Sequence, residues 1–539
     1  MAITYFLSIS SLVTGTRAKS SQAAVSSSSF FTPEDTQDKP FPSILINGDG
    51  ELVSKGTFAE AQSMYIDPDP QSVSELASAM SASNMAICAH FYMDVELQGV
   101  LQALPNQDRV FIGDSLAMGD AAVRMCEDGA SAIACLGVDF MSESVSSIMS
   151  KAGHGSVPVY RATSRKIGCS LAESAERVGY AAWLRRAAAE ENPLHVVYIN
   201  TSLESKAQSN NIVPTVTCTS SNVVKTLLQA QLQIPDVTVW YGPDTCMGYN
   251  LQTMFDKVLE NWTDEEIKEK LHPQHDRASI SLLRSNLHVY PNGNCVVHQM
   301  FGDSVVRSVK SHYPSAYVTA HLEVPGEMFE IAMESSLAGR GVTGSTSDIL
   351  NFITSKVEEA AGGAMGPGKK RLEFILGTEA GMVTSVVKNV QEILRTVPGA
   401  RDRVEAEIVF PVAPGAVAVD DEAEGGIVPG VKGGEGCGTN GGCATCPFMK
   451  MNELDGVVDV MERYGRGGEG LEGHRPPERL RGKTIGGRDA TEVGVECILR
   501  MREMMEGGKL GEELVEKVKN WEPRVMEGGR GEGEKANAV

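Results

Sequence analysis

The sequence predicts an α/β fold with a mostly parallel sheet, built as three similar units. Three observations carry this. Strand patterns alternate with helical ones along most of the chain. The strands end in polar or small residues that lead into a helix, and this pair of events recurs three times in one order, a weak internal repeat of regular spacing.

The elements follow in order. Met1 to Phe31 has no Asp or Glu, many Ser, and only Arg17 and Lys19 as charges, the composition of an organelle transit peptide. A secretory signal and an addressless disordered leader are its rivals. From Phe41 the composition becomes globular. Helical Ser72–Ser83 leads to strand Met85–Ala89, which ends in His90, Phe91, Tyr92. Strand Arg109–Ile112 breaks at Gly113, Asp114, Ser115 into a helix.

In the second unit, Leu194–Val197 ends in Tyr198, Ile199, Asn200, and Val213–Val216 runs into Cys218, Thr219, Ser220 and a helix. In the third, Tyr317–Ala320 ends in His321, Leu322, Glu323, and Gly341–Thr343 leads to Gly344, Ser345, Thr346 and a helix. Leu372–Leu376 is a further strand ending in Gly377, Thr378, Glu379, and Val493–Met505 is helical.

The expected organisation is a leader over 1–39, units over 40–190, 191–310 and 311–510, and a largely disordered tail over 511–539. The third unit includes an exposed Gly and acidic loop at 416–435 and the cysteine-bearing segment after it.

A chain of 539 residues is long enough for a large core. Its net charge of −22 argues against nucleic-acid or anionic-membrane surfaces. No apolar run reaches bilayer-spanning length, so a soluble protein is expected. Eleven cysteines without regular pairing fit a reducing compartment.

Functional groups of open α/β sheets gather at the carboxyl ends of strands, so three such ends could converge on one site. Ser115, Ser220 and Thr346 are plain N-caps on one reading. Occurring as a matched triplet, they also suit anion binding at helix starts.

Cys437, Cys443 and Cys446 lie in one glycine-rich stretch that points to a metal or redox site. The spacing alone identifies no metal. Cys169, Cys295 and Cys446 stand one per unit after the hydroxyl turn, which suits a four-iron cluster with one iron free of protein ligand. Cys88 and Cys135 read as core residues in strands, and Cys218 could line the site. Cys437 and Cys443 are a redox pair or loop packing.

In this order AHFYMDVELQ, GDSLAM, LGVDFMSESV, GCSLAE, YINTSLESKA, CTSSNVVKT, NCVVH, AHLEVPGEM, GSTSDIL, GTEAGMV and CPFMKMN resemble the quinolinate synthase family, from about Phe41 to Leu510. The wording of HVVYINTSLE and TAHLEVPGEMF is similar to its plant or algal branch.

The resemblance implies three pseudo-symmetric three-layer α/β units around a central 4Fe-4S cluster. It implies condensation of iminosuccinate with dihydroxyacetone phosphate to quinolinate, with loss of phosphate and water, on the way to NAD. The implied cluster ligands are Cys169, Cys295 and Cys446, with Cys135 only in reserve. His90, Tyr92 and Glu323 are the implied catalytic groups. His90, Ser115, Tyr198, Asn200, Ser220, His321, Glu323 and Thr346 are the implied substrate contacts.

Where the family usually has His-Pro-Glu this chain has His321, Leu322, Glu323, which keeps both side chains. No stretch before Ser83 is long enough for the activator domain that some plant forms carry, so cluster assembly is expected to need separate iron–sulfur assembly proteins. L-aspartate oxidase is a further implied partner, and a plastid the implied address. Two other readings of the same residues are an iron–sulfur or zinc sensor or carrier without turnover, and another 4Fe-4S hydro-lyase.

Overall fold

The computed structural model describes residues 39–295, 297, 301–366, 368–412 and 445–524. The leader up to residue 38, the 416–435 loop, Cys437, Cys443 and the chain after 524 lie outside the described residues.

The strands are β1 Ser43–Ile46, β2 Leu52–Lys55, β3 Met85–His90, β4 Val110–Gly113, β5 Ala132–Leu136, β6 Val159–Tyr160, β7 Pro193–Tyr198, β8 Thr215–Cys218, β9 Thr238–Gly242, β10 Leu287–Val289, β11 Tyr317–His321, β12 Gly341–Gly344, β13 Lys370–Gly377 and β14 Val404–Val409. They form sheets of order β4-β3-β5-β6, β8-β7-β9-β10 and β12-β11-β13-β14-β1-β2. Within β3–β6, β7–β10 and β11–β14 alike, the first strand in sequence lies between the second and the third. All pairings among β3–β6, β7–β10 and β11–β14 are parallel.

The central strands are apolar runs such as MAICAH and AIACL, buried at every position because helices cover both faces of a parallel sheet. The second unit's hydroxyl-turn strand begins at Thr215, two residues later than its apolar pattern suggests. Val213 ends the preceding helix, and Pro214 has no N–H to give the ladder.

β1, from the start of the first unit, pairs antiparallel with β14, and β2 pairs antiparallel with β1, so the two extend the third sheet. The segment after residue 445 also spreads beyond the third sheet. Phe448, Met449, Val457 and Met461 join the core of the first sheet.

Helix Ala490–Gly507 lies on helix Leu203–Ile212 so closely that a Cβ on Gly494 would meet the Leu203 carbonyl oxygen at 2.6 Å. From it the buried Arg500 donates to Asn210 Oδ1 and the Thr215 carbonyl, both at 2.8 Å. The expected tail begins with a helix, Glu512–Lys519, whose Leu514, Val515 and Val518 are buried, so apolar burial orders it. Among the described residues no helix is long and apolar enough to cross a membrane.

Candidate active site

The turns after β3, β7 and β11 are built alike. The first residue beyond each strand donates its N–H to the last residue of the neighbouring strand: Phe91 to Gly113 at 3.0 Å, Ile199 to Cys218 at 2.8 Å, Leu322 to Gly344 at 3.0 Å. The next residue is then the one presented: Tyr92, Asn200 or Glu323. In two turns its N–H donates back to the histidine ending the strand, Tyr92 to His90 Nδ1 at 3.2 Å and Glu323 to His321 Nδ1 at 3.3 Å. Nδ1 is therefore the acceptor, and the ring proton of the neutral histidine sits on Nε2.

Glu323 is the meeting point. The Tyr198 hydroxyl donates to its Oε1, and His321 Nδ1 stands 3.8 Å from the same oxygen. All three side chains are almost fully buried. Burial, and then the charge of Glu323, push the Tyr92 and Tyr198 phenols well above their usual range. Burial lowers His90 to about 4, against an opposing pull from Glu323, so its imidazole is neutral near pH 7.

The helix starts after β4, β8 and β12 also face one another. Their caps are Asp114, Asn222 and Ser345, not the hydroxyls singled out in the sequence. Asp114 takes the N–H groups of Leu116 and Ala117 and also the Ser221 hydroxyl at 3.3 Å. Asp114 and Ser345 cap the first and third helices, so Ser115 and Thr346 are not spent on it, whereas Asn222 makes no cap bond and its Oδ1 accepts the Thr219 N–H at 2.8 Å. Thr346 Oγ1 lies 3.3 Å from the Tyr92 hydroxyl, joining the first sheet's turn to the third sheet's helix.

Three thiols reach this region. Burial comes first in pushing Cys446 well up, followed by Glu379, Cys295 and Cys169, so both of the other sulfurs lie within electrostatic reach of Cys446. Cys169 is pushed up to about 11 by burial, with Glu323 among its acidic neighbours, while the N–H groups of Ala172 and Leu171 oppose the shift. The Cys446 N–H donates to Glu379 Oε1 at 2.6 Å.

Among the described residues no three His, Cys, Asp or Glu groups are close enough to hold a single metal ion. Thiolates bound to different irons of a cluster need not be that close. Thiolate sulfur is the ligand type of zinc and of iron–sulfur centres, so Cys169, Cys295 and Cys446 are candidate ligands for such a group. Cys88 and Cys135 sit opposite each other in β3 and β5, deep in the core and away from this set. Cys218 ends β8, buried beside Lys206.

The turn Gly377, Thr378, Glu379 belongs to a repeated signal in the sequence. The third strand of every sheet ends in Gly-x-acid: Gly137, Val138, Asp139; Gly242, Pro243, Asp244; Gly377, Thr378, Glu379. All three carboxylates are buried. Asp139 is paired with Arg161 at 2.7 Å. Asp244 Oδ2 and Glu379 Oε2 have no hydrogen-bond partner among the described residues, and both groups are pushed well up by burial first.

A family model described as quinolinate synthetase A protein matches residues 73–404. The chain is 44% identical over 497 residues to the chloroplastic quinolinate synthase of Oryza sativa subsp. japonica, covering 89% of this chain and 69% of that protein. The chloroplastic quinolinate synthase of Arabidopsis thaliana is 44% identical over 498 residues, 90% of this chain and 68% of the relative. The quinolinate synthase of a Cyanothece strain is 24% identical over 380 residues, 70% and 82% of the two chains.

Proposed function

The chain belongs to the quinolinate synthase family and is an enzyme of that type, and from that premise we propose that it condenses iminosuccinate with dihydroxyacetone phosphate, releasing phosphate and water, to form quinolinate for NAD synthesis. The observation that carries this is the convergence of His90, Tyr92, Tyr198, His321 and Cys169 around Glu323.

Such a condensation moves protons at carbon, nitrogen and oxygen, and the groups present suit it. Glu323, hydrogen-bonded by Tyr198, is the base. Neutral His90 accepts or returns a proton at its ring nitrogen, and Tyr92, held neutral and tied to Thr346, donates its hydroxyl proton to a leaving or carbonyl oxygen. Ser115, Ser220 and Thr346, beside helix N-termini, take the carboxylates and the phosphate. Tyr198, Asn200 and His321 complete the substrate contacts.

Cys169, Cys295 and Cys446 would hold a 4Fe-4S cluster, which when bound supplies a Lewis acid for a substrate hydroxyl or carboxylate. The shared strand order and the matching turn bonds support three pseudo-symmetric α/β units about that centre, over 40–190, 191–310 and 311–510. The names of the plant relatives support a plastid address. Iron–sulfur assembly proteins and L-aspartate oxidase fit as partners that supply the cluster and one substrate.

The test is anaerobic loading of the chain with iron and sulfide, followed by assay for quinolinate. Product formed only with about four irons per chain supports the proposal. A loaded protein that makes no quinolinate, or one that takes zinc in preference, sinks it.

A further inference from the structure

Each of the three turns encloses a buried nitrogen. Gln98 Nε2 donates to the carbonyls of Phe91 at 2.7 Å and Met93 at 2.8 Å. Lys206 Nζ donates to those of Ile199 at 3.0 Å and Thr201 at 2.5 Å. Asn250 Nδ2 donates to those of Leu322 at 2.8 Å and Val324 at 2.7 Å. Gln98, Lys206 and Asn250 are at most 1% exposed.

In every case the nitrogen bridges the carbonyls one and three residues past the strand end, and the residue between them is Tyr92, Asn200 or Glu323. An amide does this in two turns and an ammonium in the third, so the shared feature is a donor nitrogen and not a residue type. Two carbonyls turned inward from one tight turn need such a donor, because buried backbone acceptors are satisfied in folded proteins.

We propose that Gln98, Lys206 and Asn250 are positioning residues for catalysis, each fixing the turn that aims one substrate-facing side chain. The proposal rests on the reading of Tyr92, Asn200 and Glu323 given above. Two of the clamps also cross between sheets. Asn250, on the helix that follows β9, holds the turn after β11, and Gln98 donates to the Gly381 carbonyl beyond β13 at 2.6 Å. The three turns are thereby set relative to one another as well as internally, and side chains held to about half an ångström are what multi-group proton transfer requires.

The test pairs kinetics with amide hydrogen exchange in the full chain carrying its cluster. Lys206→Met keeps the length of the side chain and removes the donor, and Lys206→Gln restores an N–H donor. Asn250→Leu removes the third clamp independently, should the first variant fail to fold. Expected for Lys206→Met is faster exchange confined to 199–202 and a fall in kcat/KM of about a hundredfold, largely recovered in Lys206→Gln. For Asn250→Leu the faster exchange falls at 322–324, with a comparable fall in kcat/KM.

Wild-type exchange and kinetics in Lys206→Met or Asn250→Leu overturn the proposal. So does a glutamine variant as impaired as the methionine one. Exchange is read without turnover, so a wild-type chain that makes no quinolinate refutes the functional reading while the clamps are still decided.

Discussion

The Tyr198 hydroxyl donates to Oε1 of Glu323, joining the end of a strand in the second sheet to the turn after a strand in the third. The two residues are 125 positions apart in the chain. A base fixed by a neutral phenol keeps its orientation, and the phenol is itself held neutral by burial and by the charge it faces. Glu323→Gln is expected to lower kcat by about 10²- to 10⁴-fold, the range for loss of an acid–base group, and Tyr198→Phe by less, since the carboxylate remains. Steady-state kinetics on the cluster-loaded protein decide it. Equal losses in the two variants would assign the proton transfer to the phenol.

The Tyr92 hydroxyl lies 3.3 Å from Thr346 Oγ1, so its loss is expected to read differently. Tyr92→Phe keeps the ring that packs edge-on against His90 at 4.8 Å and removes only the hydroxyl. The expected outcome is unchanged iron content and visible absorbance, with kcat down about a hundredfold or more. Thr346→Val, which removes the hydroxyl facing Tyr92, is expected to raise KM as well, through loss of an anion contact. A Tyr92→Phe protein with full turnover contradicts the role assigned to the phenol.

What could be read in the sequence was what local chemistry announces. The strands ending at His90, Tyr198 and His321 show themselves as apolar runs closed by a polar residue, and the helices after Ser115 and Thr346 by their periodicity. The pairing of β1 with β14 was hidden, because partners more than 350 residues apart leave no mark on each other's composition. Gln98, Lys206 and Asn250 were also hidden. Each is one polar residue in a helix, where a solvated position is the ordinary expectation, and only burial shows that its nitrogen faces inward. The acids Asp139, Asp244 and Glu379 did carry a signal, a repeated Gly-x-acid, though each alone reads as a turn.

The thiols separate into two sets by their surroundings. Cys295 and Cys169 both act on Cys446, whereas Cys135 lies in β5 opposite Cys88, with its thiol pushed up to about 12 by burial. Cys446→Ser and Cys295→Ser are therefore expected to lose the bound iron, the visible absorbance and turnover together. Cys135→Ser is expected to keep the iron and lose thermal stability, since it places a hydroxyl in an apolar strand core. Iron and sulfide analysis with a melting curve tests both, and iron lost from Cys135→Ser at full stability would reverse the assignment.

His195 lies in β7 at 0% exposure, with Nε2 2.8 Å from the Tyr180 hydroxyl and Nδ1 3.3 Å from Thr215 Oγ1. Burial lowers it from 6.5 to about 3, so on acidification the unfolded chain takes up the proton first. Stability from this residue is complete above pH 6.5 and is lost as pH falls through the interval down to about 3. His90 acts with the same sign down to about 4, whereas Glu143, raised by burial to about 7, gains stability as pH falls from 7 towards 4.5. Comparing wild type with His195→Gln cancels those other groups. The stability advantage of wild type over the variant is expected to shrink by about 2 kcal/mol between roughly pH 6.5 and 5, at 1.36 kcal/mol per unit. Denaturant unfolding across that range measures it, and parallel curves for the two proteins would show that His195 takes up its proton equally in the folded and unfolded chain.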